Sequence, residues 1–218
     1  MAFVQCALNI EALELLPNGR ELKSGRISPY FFNSGLFTDG NSLQHLAQAL
    51  KYAIRKVKFD VIYGPPYKGI PISVSLSMVF GAEIEWAFAR KEEKNHGDGG
   101  LVVGASLKGK KVLIVDDVIT TGESKIEAVE IIKSQGGIPV GCGVLFDRQE
   151  KGYDFVNKVD LETSAKQDFE EMFGIPLFSA STLSDLICFL HDYISRNQNK
   201  EVSDILEKIY TYKNMYSV

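Results

Sequence analysis

The sequence predicts an α/β protein built on a central, mainly parallel sheet flanked by helices, with a small N-terminal hood. Two patterns carry that expectation. From Phe59 onward, short apolar runs alternate with stretches of helical periodicity, the strand–helix–strand rhythm of a doubly wound sheet. The strand runs, Val112-Leu113-Ile114-Val115 above all, lack polar alternation, which implies burial on both faces. Residues 1–40 break the rhythm and are expected to pack over one end of the sheet. The 218 residues are expected to form one domain around a sizeable core.

In chain order, Phe3, Ala7, Leu8, Ile10, Leu13 and Leu16 stand at helical spacing, so a helix is expected over 3–16, ended by Pro17-Asn18-Gly19. Residues 21–38 are aromatic-rich and broken by Gly25, Pro29 and Gly35, which reads as short strands and turns. Asn41 or Ser42 is expected to cap a helix that buries Leu43, Leu46, Ala47, Leu50 and Ile54. Strands are expected at 59–64, 83–90, 111–117, 138–147 and 175–180. Helices are expected at 72–82, at 124–137 with Ile126, Val129 and Ile131 or Ile132 inward, and at 182–196 and 201–212. Gly136-Gly137 suits the end of the second of these. The polar, glycine-rich segment 91–100 reads as a mobile loop.

Composition excludes several classes of protein. An apolar fraction of 45% with a net charge of −4 excludes a disordered chain. The excess of 28 acidic over 24 basic residues argues against nucleic-acid binding by bulk electrostatics. Cys6, Cys142 and Cys188 are widely spaced, match no metal pattern and read as buried small hydrophobes in a reducing compartment. The N-terminus lacks the pattern of a secretion signal, and no apolar run approaches the ~20 residues that span a bilayer. A cytoplasmic location is the expectation.

The segment richest in chemistry is KVLIVDDVITTGES, 111–124. An apolar strand ends in Asp116-Asp117, a hydroxyl-rich turn Thr120-Thr121-Gly122 follows, and a helix begins. Ligands of open parallel sheets sit beyond the carboxyl ends of the strands. Residues 120–124 therefore stand where backbone N–H groups, threonine hydroxyls and a helix N-terminus can hold a phosphate. The two acids suit the vicinal hydroxyls of a sugar beside it. The same residues also read as an ordinary strand–helix turn with solvated acids and a threonine cap. Two rival phosphate motifs fail. GASLKGKK, 104–111, has Lys111 where a P-loop needs Ser or Thr and precedes a strand, and no G-x-G-x-x-G follows a strand.

The stretch VLIVDDVITTGES resembles the 5-phosphoribosyl-1-diphosphate (PRPP) signature of type I phosphoribosyltransferases. LKSGRISPYFFNSG, GPPYKGIP, ARKEEKNHGDGG and VLFDRQE are similar, in the same order, to segments of the orotate phosphoribosyltransferases of that family. The resemblance covers residues 22–150. It implies transfer of the 5-phosphoribosyl group from PRPP to orotate, giving orotidine 5′-phosphate and pyrophosphate in pyrimidine biosynthesis, with Mg²⁺ carried mainly by PRPP. It implies PRPP contacts at Lys23, Tyr67, Lys68, Arg90, Lys91, Lys94 and His96, and along Asp116, Asp117, Val118, Ile119, Thr120, Thr121, Gly122, Glu123 and Ser124. Lys94, His96 and Asp117 are the expected catalytic residues, and orotate is expected at Phe31, Phe32, Thr120 and Arg148. Lys91 is expected to reach the neighbouring subunit's site in a homodimer. No dedicated protein metal cage, no nucleic-acid partner and no membrane partner are expected.

Two departures stand out. GPPYKG has Pro66 where the family usually has a small residue, which removes one backbone donor, and TTG stands where TAG is common. A phosphoribosyltransferase for another base would keep the PRPP loop without needing Arg148 or the phenylalanine pair. A PRPP-sensing regulator is expected to lack the Lys94/His96 segment or to carry a basic DNA-binding extension; this chain has the segment, and no such extension is expected. The last ~70 residues carry no motif and read as structural.

Overall fold

The computed structural model describes residues 2–94, 100–119, 123–154 and 156–218, and for 91–94, 100 and 123 the backbone only. The chain opens with α1 (Ala2–Asn9), the strand pair β1 (Leu13–Glu21) and β2 (Ile27–Phe32), a 3-10 turn at Ser34–Leu36, and α2 (Gly40–Ala53). Then come β3 (Val61–Tyr63), α3 (Gly69–Phe80), β4 (Glu85–Lys94), β5 (Gly100–Gly104), β6 (Lys111–Ile119), α4 (Glu123–Ser134) and β7 (Ile138–Asp147). The chain ends with β8 (Lys151–Asp154), β9 (Val159–Ser164), α5 (Ala165–Phe173), β10 (Leu177–Thr182), α6 (Leu183–Asn197) and α7 (Lys200–Tyr216).

Six strands form the central sheet in the order β10-β7-β6-β3-β4-β5. Every pairing is parallel except the outermost, β4 with β5. The apolar run of β6 explains the layering. Leu113 and Val115 join the core beneath α1, α2, α3, α6 and α7, while Val112 and Ile114 join a second core with Ala128, Val129 and Ile132 of α4 and Phe169 of α5. Successive side chains of a strand point to opposite faces, so an unbroken apolar run is what a sheet covered on both sides requires.

The hood departs from the helical expectation for 3–16. The helix stops at Asn9, and Leu13–Glu21 is a strand. Leu13 pairs with Phe32 and Leu15 with Tyr30 in the antiparallel β1–β2 pair. Alternating leucines satisfy helical and strand spacing about equally over so short a run, and the cross-strand aromatic partners on β2 decide it. The cap of α2 also shifts. Asp39 is the N-cap, accepting from the backbone N–H groups of Asn41 and Ser42, while Ser42 closes a capping box from the third position. Residues 91–94, expected in a loop, extend β4, and Lys94 pairs with Gly100 of β5. Residues 151–173 add the β8–β9 hairpin and α5, for which no expectation existed. Of the cysteines only Cys142 is buried; its thiol is pushed up to about 12 by burial, whereas Cys188 is exposed. Among the described residues no helix is long and apolar enough to cross a membrane.

Strand β7 reaches α2 through a glycine. A Cβ on Gly143 would lie 3.1 Å from Leu50 Cδ1 and 3.2 Å from Ile54 Cγ2. Gly143→Val should therefore overpack this contact and destabilise the fold by about 1–3 kcal/mol, read as a lowered midpoint in urea unfolding with an unchanged slope.

Candidate active site

Beyond the carboxyl ends of the parallel strands lies a cleft of about 890 Å³, a volume suited to a small ligand. Its walls come from the β1–β2 turn, the start of α3, the end of β6, the segment leading from β7 into β8, and the start of α5. Elements far apart in sequence thus converge at the end of the sheet.

The end of β6 presents two acids with different surroundings. Asp117 lines the cleft, and its Oδ2 is 3.0 Å from Lys68 Nζ and accepts a hydrogen bond from Ser34 Oγ at 3.2 Å. Asp116, one residue earlier, is turned to the α4 face. Its Oδ2 accepts from Lys125 Nζ at 2.5 Å and from Ser124 Oγ at 2.9 Å, and its Oδ1 from the Asp117 N–H at 3.0 Å. Lys125 Nζ also donates to the Val118 carbonyl at 2.6 Å. Both acids are buried, where a carboxylate without such partners carries a desolvation penalty.

Lys68 is delivered by a tight turn after β3. A Cβ on Gly64 would sit 2.2 Å from the Gly69 carbonyl oxygen, and one on Gly69 would sit 2.8 Å from the Val115 carbonyl oxygen. Only glycine fits both places, which lets the turn lie against β6 and brings the start of α3 up to the cleft. Tyr67 projects outward at 68% exposure, and Lys68 is half exposed above Asp117. Lys23 is exposed on the β1–β2 turn and lines the cleft.

On the opposite wall the two phenylalanines part company. Phe31 is half-buried with the Arg20 guanidinium 4.3 Å above its ring. Phe32 borders the cleft but is 4% exposed, and its ring stacks on Phe146 at 5.5 Å and packs against Phe3 and Phe37. Phe32 is thus buried in the core as well as bordering the cleft. Arg148 is also buried. Its Nε donates to Glu150 Oε1 at 2.7 Å, its Nη2 donates to Ser28 Oγ at 2.9 Å and Tyr212 Oη at 3.4 Å, and its guanidinium lies 4.3 Å from the centre of the Tyr30 ring. Burial works against its charge, but Tyr30 and Glu150 more than offset that and leave its pKa raised.

Beside it stands a residue the sequence analysis did not single out. Arg26 is buried, lies 3.3 Å from Glu150, pairs with Asp160, donates to the carbonyls of Lys151 and Gly152, and sits 5.0 Å from the Tyr216 ring centre. It ties the hood to the β8–β9 hairpin. The C-terminal region, read as structural, supplies Tyr212 and Tyr216 to this wall, and Ser217 bridges to Glu150. A hydrophobic-pattern search passes over such residues. For Lys125, also not singled out, the signal was a charged residue in an apolar stripe: Lys125, Ala128, Val129 and Ile132 occupy one buried face at i, i+3, i+4 and i+7, while Ile126, expected inward, is only half-buried.

The remaining expected residues are placed unevenly. Val118 and Ile119 line the cleft, with Ile119 otherwise in the second core. Ser124 lies at the start of α4 on Asp116, and Arg90 is half-buried on β4. His96, Thr120, Thr121 and Gly122 lie outside the described residues, as do the side chains of Lys91, Lys94 and Glu123. Among the described residues no group of three metal-binding side chains occurs.

Two outcomes follow from this wall. Arg26→Met should destabilise the fold by ~3 kcal/mol, because Asp160 and two carbonyls lose a buried partner; thermal unfolding checks it. Asp147, whose carboxyl is held above its usual range by burial, should behave in the opposite sense. A raised carboxyl pKa favours the folded state at low pH, and that contribution is lost as pH rises through the folded value. Asp147→Asn should raise the melting temperature at pH 7 relative to the parent chain, and the gap should close below about pH 4.

Comparison with known proteins gives a consistent result. The phosphoribosyl transferase domain family matches residues 35–175. The orotate phosphoribosyltransferase of Xanthomonas oryzae pv. oryzae is 42% identical, over 98% of this chain and 94% of that protein. The orotate phosphoribosyltransferase of Kluyveromyces lactis is 43% identical, over 92% of this chain and 90% of that protein. In structure, the orotate phosphoribosyltransferase of Francisella tularensis superposes over 100% of both chains with a TM-score of 0.81 at 33% identity.

Proposed function

The chain belongs to the orotate phosphoribosyltransferase family, and from that premise we propose that it transfers the 5-phosphoribosyl group of PRPP to orotate, releasing pyrophosphate. One observation carries the reading onto this chain. A single cleft holds Lys23, Lys68 and Asp117 on one side and Phe31 and Arg148 on the other, so cations, a sugar-binding acid and a base pocket share one space.

In the reaction the bond from ribose C1 to the diphosphate oxygen breaks while the orotate ring nitrogen forms the new bond to C1. Positive charge grows on the sugar and negative charge on the leaving group. Asp117 suits the ribose hydroxyls, as an acceptor fixed by Ser34 at the end of β6. The 5-phosphate is assigned to residues 118–124, which lead into the N-terminus of α4. Lys68 leaves Asp117 for the diphosphate, aided by Tyr67, and Arg90 and Lys23 add charge. Lys94 neutralises the departing pyrophosphate with help from His96. Lys91 reaches the partner's site in a homodimer.

For orotate, Phe31 provides a face for stacking. The Arg148 nitrogen Nη1 takes part in none of its bonds to Glu150, Ser28 and Tyr212, and it is the atom left for the orotate carboxylate. Phe32 supports this wall from the core, and Thr120 contributes from the loop. Mg²⁺ suits hard oxygen donors, and both β6 acids already hold lysines, so the ion is carried mainly by PRPP. Bound there, it neutralises charge on the diphosphate. The setting is cytoplasmic pyrimidine biosynthesis.

The test is turnover on a panel of orotate, uracil, adenine, hypoxanthine and nicotinate with PRPP and Mg²⁺, followed by pyrophosphate release. Activity on orotate alone is expected, and activity on another base only would discard the pocket assigned to Phe31 and Arg148. Lys94→Ala should lower kcat by about 100-fold or more with a smaller change in the KM for PRPP. Arg148→Lys should raise the KM for orotate by roughly tenfold or more while leaving that for PRPP nearly unchanged.

A further inference from the structure

Lys125 is an unusual residue for its place. It is 4% exposed on the core-facing stripe of α4, where its neighbours on the same face are Ala128, Val129 and Ile132. A lysine in such a stripe carries a large desolvation penalty unless every donor is used. Here the three protons of Nζ meet three acceptors: Asp116 Oδ2 at 2.5 Å, the Val118 carbonyl at 2.6 Å and Ser124 Oγ at 3.1 Å. One ammonium thus joins the carboxyl end of β6 to the first turn of α4, across the segment that connects them.

The two acids of β6 consequently have unequal counter-charges. Asp117 is paired with Lys68, whose side chain is 49% exposed and free to swing toward an anion. Asp116 is paired with Lys125, whose side chain is 5% exposed and has nowhere to go. The cleft above them has to accept a ligand that carries both a phosphate and a diphosphate. Two adjacent carboxylates beneath such an anion would repel it strongly at short range. When Lys68 turns to the ligand, only a fixed cation can cancel the second acid.

We infer that Lys125 is a positioning residue for PRPP: it cancels the charge of Asp116 permanently and anchors the Val118 carbonyl, so that PRPP meets one unbalanced carboxylate at the end of β6 and not two. The inference rests on the reading that PRPP binds at the end of β6. It concerns affinity for PRPP and not the chemistry at C1, since Lys125 faces α4 and does not line the cleft.

The experiment measures kcat and both KM values for two variants beside the parent chain. Lys125→Met keeps the bulk and removes the charge, and it should raise the KM for PRPP about tenfold or more with the KM for orotate little changed. Lys125→Arg keeps the charge and should lie closer to the parent chain than to Lys125→Met, and it keeps the test decisive should Lys125→Met not fold. An unchanged KM for PRPP in Lys125→Met, or a folded Lys125→Arg variant with a KM for PRPP raised tenfold or more, overturns the inference; a lowered melting temperature alone would mark Lys125 as structural only. Turnover by the parent chain on PRPP and orotate separates the two levels, because its absence removes the functional reading itself.

Discussion

Two carboxylates on consecutive residues at the end of a buried strand impose the constraint around which the site is built. Each must be neutralised, and consecutive residues of a strand face opposite sides of the sheet. One face therefore supplies Lys68 and Ser34, and the other supplies Lys125 and Ser124. Satisfying Asp117 draws the hood and the turn after β3 onto β6, while satisfying Asp116 draws α4 in from below. The close approach of that turn depends on Gly64 and Gly69, where any side chain would collide with backbone.

The opposite wall follows a second rule. Arg26 and Arg148 are both buried and share Glu150, with Asp160 as a further acid and Tyr30, Tyr212 and Tyr216 packed around them. Buried ion pairs contribute little net stability once desolvation is counted, but they are demanding in geometry. This cluster joins β2 near the start of the chain to α7 at its end and holds that wall of the cleft in one shape. Arg148 lines the cleft with most of its donors already occupied. Its freedom is spent on orientation.

Expectation and structure agree where a pattern is both local and long. The unalternating run of β6, the strand at 138–147 and the glycine pair after α4 all stand where the sequence put them. They diverge where a short run serves two periodicities, as at Leu13–Leu16, or where a residue type has two common uses. Phe31 and Phe32 look alike in sequence and both border the cleft, yet Phe31 is half-buried under Arg20 while Phe32 is buried in a stack with Phe146. The hairpin β8–β9 and helix α5 have no motif, and their role emerges only from Arg26 and from the residues of α5 at the cleft.

By itself the sequence determined the class of fold and the family, because parallel strands advertise themselves as apolar runs and the phosphate loop, the acid pair and the FDRQE segment are contiguous stretches. Contiguous residues keep their spacing whatever the rest of the chain does. Only the tertiary structure decided which of the two acids lines the cleft, which lysine serves each of them, and that the C-terminal helix packs behind Arg148. Those facts depend on which faces of β6, β2, α4 and α7 are turned toward one another. That is settled by packing two cores on opposite sides of one sheet, and no local stretch of sequence records it.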